Sequence, residues 1–210
     1  MKFQEIADAV IAGKASEVER LINEALSAGA KPIEIINGGL ISGMQVIADR
    51  FKRNEIYLPE VLVAARAMTA GINIVKPLVA ESDAPPAAKV VIGTVKGDMH
   101  DIGKKVVAMM LQGAGFDIID LGIDVSPEKF VEAVREHQPA ILGMSALLTT
   151  TMPAMAKTID ALNESGLRNK VKVIIGGAPI TDAYAKEIGA DGYAPDAGSA
   201  VDVAKQLIAG

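Results

Sequence analysis

The chain has no cysteine, which excludes disulfides, thiolate metal sites and cysteine nucleophiles and fits a reducing cytoplasm. Tryptophan is also absent and aromatic residues make up only 3%. A core must therefore come from Ala, Val, Ile, Leu and the nine Met. No block of basic residues occurs and the net charge is -5, so neither nucleic acid nor an acidic membrane surface is an expected partner. No uncharged apolar run reaches the roughly 18 residues that suggest a membrane span. Met1-Lys2-Phe3-Gln4-Glu5 opens directly into an amphipathic pattern, so no signal peptide is expected and the reading is of a cytoplasmic protein. Histidine is scarce, with two in 210 residues.

What is present divides into two rhythms. At 210 residues the chain is long enough for one large domain or two small ones, and half of the residues are hydrophobic, enough for a sizeable core. Up to about residue 80 the apolar spacing is helical. Ile6, Val10 and Ile11 share one face, and Val18, Leu21, Ile22, Ala25 and Leu26 form a second stripe. Gly29 stops that stripe, and Lys31-Pro32 restarts a helix through Ile35, Leu40, Met44 and Ile47. Leu58-Pro59-Glu60 opens a fourth, carrying Leu62, Ala65, Met68, Ile72 and Val75. The expectation is a four-helix bundle. Glu81 to Ala88, with Pro85-Pro86 among small and polar residues, cannot continue a helix and reads as a connector.

Beyond it, apolar runs at 89–95, 117–121, 140–144, 171–175 and about 192–194 alternate with helical stretches. Such alternation predicts a parallel sheet covered on both faces. The fold class is thus α/β: an N-terminal helical domain over 1–84, a linker at 85–88, and a flavodoxin-like, doubly wound five-stranded domain over 89–210, with strand order 2-1-3-4-5.

In that order the carboxyl ends of strands 1, 3 and 4 meet at the switch point, where ligands bind. Each is followed by a distinctive loop. Asp98-Met99-His100-Asp101-Ile102-Gly103 offers an imidazole between carboxylates, and Ser145 to Thr151 offers a run of hydroxyls. Gly176-Gly177 offers bare backbone that a flat ligand could approach. A carboxylate beside a histidine is how proteins present a neutral imidazole to a metal. Taken singly, each loop also has a plain structural reading: Asp101 as the N-cap of a helix from Ile102, the hydroxyls as turn-satisfying groups, the glycines as a tight turn. The segment lacks both a G-x-x-x-x-G-K-[ST] phosphate loop and a G-x-G-x-x-G fingerprint, and a zinc site would want more ligands. His137, near a helix end, reads as a solvated residue suited to the helix dipole.

Asp98-x-His100-x-x-Gly103, Ser145-x-Leu147 and Gly176-Gly177, in this order and spacing, resemble the D-x-H-x-x-G … S-x-L … G-G signature of corrinoid-binding proteins. Glu55-Ile56-Tyr57-Leu58-Pro59-Glu60-Val61 resembles the helical cap of the cobalamin module of methionine synthase. In length and layout the whole chain is similar to the small corrinoid proteins of methanol, methylamine and aryl-ether demethylation. The resemblance implies cobalamin or a related corrinoid as cofactor, with His100 as the lower axial ligand to cobalt. Asp98 would hold the other ring nitrogen, and Thr151 would continue the relay with a hydroxyl. Ser145, Leu147, Thr149 and the Gly176-Gly177 backbone would line the slot for the displaced nucleotide tail, and Met99, Asp101, Ile102 and Gly103 complete the histidine loop. Tyr57 matches a cap aromatic over the upper cobalt face, and Ala64 and Ala67 match bulkier cap residues, implying a more open face.

The function implied is that of a non-catalytic methyl carrier. A substrate-specific methyltransferase would load it, and an acceptor methyltransferase would pass the methyl group to a tetrahydrofolate or a thiol. A reductive activase is a further implied partner. The alternative is an adenosylcobalamin-binding sensory module. Such proteins usually add a DNA-binding segment and a cap tryptophan, and this sequence shows neither. A mutase subunit fits less well, since mutases cover the upper face with a barrel.

Overall fold

A computed structural model describes residues 3–80 and 88–209. The linker expected at 85–88 lies, except for Ala88, outside the described residues. The chain forms two compact units, one helical and one α/β.

In the helical unit, α1 (Phe3–Ile11) and α2 (Ala15–Ser27) carry the first two apolar stripes. The expected third helix starts at Pro32, where a missing N–H costs nothing. It is continuous but not uniform: α3 (Pro32–Ile35) passes through a π-helical turn, Ile36–Ile41, into α4 (Ser42–Lys52). The turn contains Gly38 and Gly39, and Gly43 follows it on the side facing α1. A Cβ on Gly43 would stand 2.7 Å from the Ala7 carbonyl oxygen, and one on Gly39 would stand 2.9 Å from Ile6. Glycine is there because two helix backbones meet. The periodicity did not show the π turn.

The fourth predicted helix is α5 (Leu58–Ala80). Among the described helices it alone has the length and apolar composition to cross a membrane. It packs instead along α2, α3 and α4, with Val61, Ala65, Met68 and Val75 buried. Leu62, expected on its apolar stripe, is 37% exposed.

In the α/β unit, β1 (Lys89–Thr94), β2 (Asp117–Asp120), β3 (Ile141–Ser145), β4 (Lys172–Gly176) and β5 (Gly192–Ala194) form one sheet ordered β2-β1-β3-β4-β5. Every pairing is parallel, as the expected doubly wound order requires. The connecting helices are α6 (Ile102–Gly113), α7 (Pro127–His137), α8 (Pro153–Glu164) and α9 (Asp182–Glu187), with α10 (Ala197–Ala209) last. The largest fully buried side chain, Phe130, seats against Gly93, the last residue but one of β1, where a Cβ would come within 2.8 Å of the ring. Leu142, Met155, Leu162 and Ile175 share that core. A chain poor in aromatics places this one where a glycine leaves it room.

The register decides where function can sit. Thr94 pairs with Ser145, Ser145 with Gly176, and Gly176 with Ala194. Four strands therefore end in one row, and all three motif loops leave from it.

Candidate functional site

The centre of the loop cluster is Asp98, fully buried in a position reached straight from β1. Its Oδ1 accepts the His100 main-chain N–H at 3.0 Å and lies 2.8 Å from His100 Nδ1. Its Oδ2 accepts the N–H groups of Leu147 at 2.7 Å and Leu148 at 3.3 Å, and lies 2.8 Å from Thr151 Oγ1. Burial alone would push this carboxyl up. The bonds from His100 and Leu147, then the imidazole and Thr151, outweigh it and hold Asp98 well below the usual carboxylate range. It is therefore an anion, and His100 Nδ1 must carry the proton facing it. In the neutral imidazole that leaves a lone pair on Nε2. The His100 side chain is 51% exposed, so this nitrogen is open to a ligand.

A second arm holds the histidine by its main chain. Thr94 Oγ1, fully buried at the end of β1, donates to the His100 carbonyl at 2.9 Å. Ser145 Oγ is 3.0 Å from the same Thr94 hydroxyl. The single Thr94 proton goes to the carbonyl, so Ser145 is the donor in that pair. Thr94 was missed in the sequence because a threonine closing a β-branched strand reads as ordinary strand composition.

The other expected residues fall as follows. Met99 is 65% and Ile102 71% exposed, with Leu147 and Leu148 each at 43%. Large apolar side chains thus stand uncovered in the two loops that Asp98 ties together. Gly103, in the first turn of α6, has open space where a Cβ would be. Asp101 precedes α6, but its carboxylate pairs with Lys105 at 2.5 Å, and that bond lowers its pKa. Thr149 is exposed. Gly177, at φ +134°, would put a Cβ 1.9 Å from the Ala146 carbonyl oxygen, and Gly176 would put one 2.9 Å from that of Ala194. The diglycine is needed first by neighbouring backbone, which is a different reason from the ligand approach read in the sequence. Tyr57 belongs to the helical unit and is 69% exposed. Ala64 and Ala67, expected to leave a face open, are fully buried.

These residues suit a metal that brings its own ring. Among the described residues no group of three or more His, Asp or Glu could hold a bare ion. The described side chains thus offer one exposed imidazole, a donor set that suits a metal carried in a ring of its own. An exposed imidazole lone pair beside uncovered apolar side chains is what a large, mostly apolar macrocycle needs.

Comparison with known proteins agrees. Residues 88–202 match the family described as B12 binding domain, and residues 2–76 match a second family with that description. The dimethylamine corrinoid protein of Methanosarcina barkeri is 46% identical over 208 residues, covering 99% of this chain and 97% of the relative. The structure of the methanol:cobalamin methyltransferase complex from the same organism superposes with a TM-score of 0.87 at 35% identity, covering 98% of this chain and 78% of that one. A cobalamin-binding protein from Desulfitobacterium hafniense DCB-2 gives 0.80 at 31% identity, covering 99% and 98%. The chain belongs to the B12-binding corrinoid proteins, and its cofactor is cobalamin or a related corrinoid.

Proposed function

We propose that this protein carries a methyl group between two methyltransferases, with His100 Nε2 as the lower axial ligand of the corrinoid cobalt. The observation that carries this reading is Asp98: a buried anion whose bonds fix the tautomer and direction of one exposed imidazole. When bound, the corrinoid supplies a cobalt centre able to take up a methyl group and release it. The protein's own part is to set how strongly that centre is held from below. Asp98 keeps the proton at Nδ1 and makes Nε2 a better donor. The main-chain N–H groups of His100 and Leu147 keep Asp98 charged, with Thr151 adding to them. Ser145, Leu147, Thr149, Gly176 and Gly177 line the path of the nucleotide tail, and Met99, Asp101, Ile102 and Gly103 shape the loop beneath the ring.

The name of the dimethylamine relative supports methylated amines as the methyl source. The loading partner is then a methyltransferase specific for such an amine. The unloading partner is one that serves a tetrahydrofolate or thiol acceptor, and a reductive activase restores oxidised cobalt. All of them act in the cytoplasm.

The test is reconstitution with methylcobalamin followed by the visible spectrum. The wild type is expected to show an imidazole-bound cobalt that His100→Gly loses. An identical spectrum from the variant would remove the ligation. Incubating the loaded protein with candidate amine methyltransferases and mono-, di- or trimethylamine then identifies the donor.

A further inference from the structure

Lys104 is the anomaly of the α/β unit. A lysine in the first turns of a helix normally extends into water, but the Lys104 side chain is 1% exposed. Its ammonium is paired with the Asp120 carboxylate at the end of β2. Asp120 also accepts the Gly122 N–H at 2.9 Å, the Gly122 carbonyl accepts the Thr94 N–H at 3.0 Å, and the Thr94 hydroxyl donates to the His100 carbonyl. Short contacts thus run without a break from Lys104 to the main chain of His100.

The other side of the histidine is held by the same loop. Lys96 Nζ meets Asp124 Oδ2 at 3.0 Å, the Gly97 N–H donates to Asp124 Oδ1 at 2.8 Å, and the Asp124 N–H donates to the Asp98 carbonyl at 3.1 Å. Asp124 does this from a left-handed backbone, φ 54°, a conformation that costs energy outside glycine and persists where surroundings enforce it. Lys96 and Lys104 flank His100 symmetrically in sequence, and Asp120 and Asp124 are separated by one such interval.

We propose that the loop from β2 to α7 is a clamp on the histidine loop, with Asp120 and Asp124 as positioning residues that set the height of His100 and so the strength of its bond to cobalt. This rests on His100 being the ligand. Asp98 fixes which way the ring points. The clamp fixes where the ring stands, which matters because a metal held in a rigid macrocycle cannot move far to meet it. Neither aspartate belongs to the recognised motifs, and neither touches the imidazole.

The experiment uses the full chain reconstituted with methylcobalamin. Three variants are compared with wild type: Lys104→Met/Asp120→Asn, which removes the buried ammonium together with its carboxylate partner, Asp124→Asn on the exposed arm, and His100→Gly. Far-UV circular dichroism and thermal unfolding confirm folding. The readouts are the imidazole-bound spectrum and, on protein reconstituted with hydroxocobalamin instead and so free of the methyl group, the cobalt(II)/cobalt(I) midpoint potential. Loss of an outer partner typically weakens a metal bond by roughly tenfold or more, and tenfold moves a one-electron couple by about 59 mV. The double variant is expected to shift the potential positive by about that amount, and Asp124→Asn by less in the same direction. If His100→Gly matches wild type, the ligation fails and the clamp with it. If His100→Gly differs from wild type while both clamp variants keep its potential and spectrum, only the clamp is overturned. Should the double variant not fold, Asp124→Asn alone decides in the same way.

Discussion

The two units fill their interiors with different chemistry. Among the described residues, every buried polar or charged side chain lies in the α/β unit: Thr94, Asp98, Lys104, Thr151 and Thr158. The helical interior is alkyl, built on Ile6, Val10, Leu21, Ile22, Leu40 and Met44. Four of the five polar residues belong to the network around His100, and Thr158 only returns a bond to its own helix at Ala154. An alkyl interior tolerates many packings of similar volume. A buried hydrogen-bonded network tolerates one arrangement, because each unpaired group is costly. One unit is specified by shape, the other by direction.

This contrast can be broken most severely at Asp98. Asp98→Ala removes every bond to its two oxygens and leaves the Leu147 and Leu148 N–H groups unpaired, a loss of about 4 kcal/mol. Urea unfolding followed by circular dichroism should show it, with a loss below about 1 kcal/mol sinking the claim that direction stabilises this unit. Next is Gly43→Leu, which drives a side chain into the Ala7 carbonyl and should cost about 3 kcal/mol. That damage belongs to the helical unit, so a heteronuclear NMR spectrum should keep the His100 and Leu147 resonances in place. Thr151→Val, nearly isosteric, should cost about 1–2 kcal/mol, and Thr151→Ser should recover most of it in the same unfolding assay.

The smallest effect is on the surface arm. The Gly97 N–H and then Lys96 lower the Asp124 carboxyl. A lowered folded value means the Gly97 contact is complete above the unfolded pKa and is lost as pH falls through the lower, folded one. The Gly97 amide shift should therefore titrate with a midpoint below about 3.9, the ordinary aspartate value. A midpoint at or above that value would show Asp124 to be a free surface carboxylate.

Much of this could be read without coordinates. Five short apolar runs alternating with helices predict a doubly wound parallel sheet, and the observed order is the one that fold leads one to expect. His100, Asp98 and Thr151 come from spaced motifs on loops that the order brings together. The π turn was hidden because Ile36 fills the five-residue step between buried Ile35 and Leu40, so the apolar run reads as continuous. Thr94, Lys104, Asp120 and Asp124 were hidden for another reason. Each is an ordinary residue for its own segment, and its meaning lies in a partner on a different element. Lys104 in particular reads as a solvated helix lysine until the end of β2 is placed beside it.

The common row of strand ends has a mechanical consequence. Thr94, Ser145, Gly176 and Ala194 finish level across three strand spacings, about 14 Å at roughly 4.8 Å each. The sheet thus ends in a terrace rather than a staircase, and the loops that hold the histidine share one floor. Adding a residue to any one strand would tilt that floor and move the His100 loop out of line with the Ser145 and Gly176 loops. Variation in length is therefore more tolerable in the helices, while the lengths of β1, β3 and β4 act as gauge blocks for the loops that carry His100.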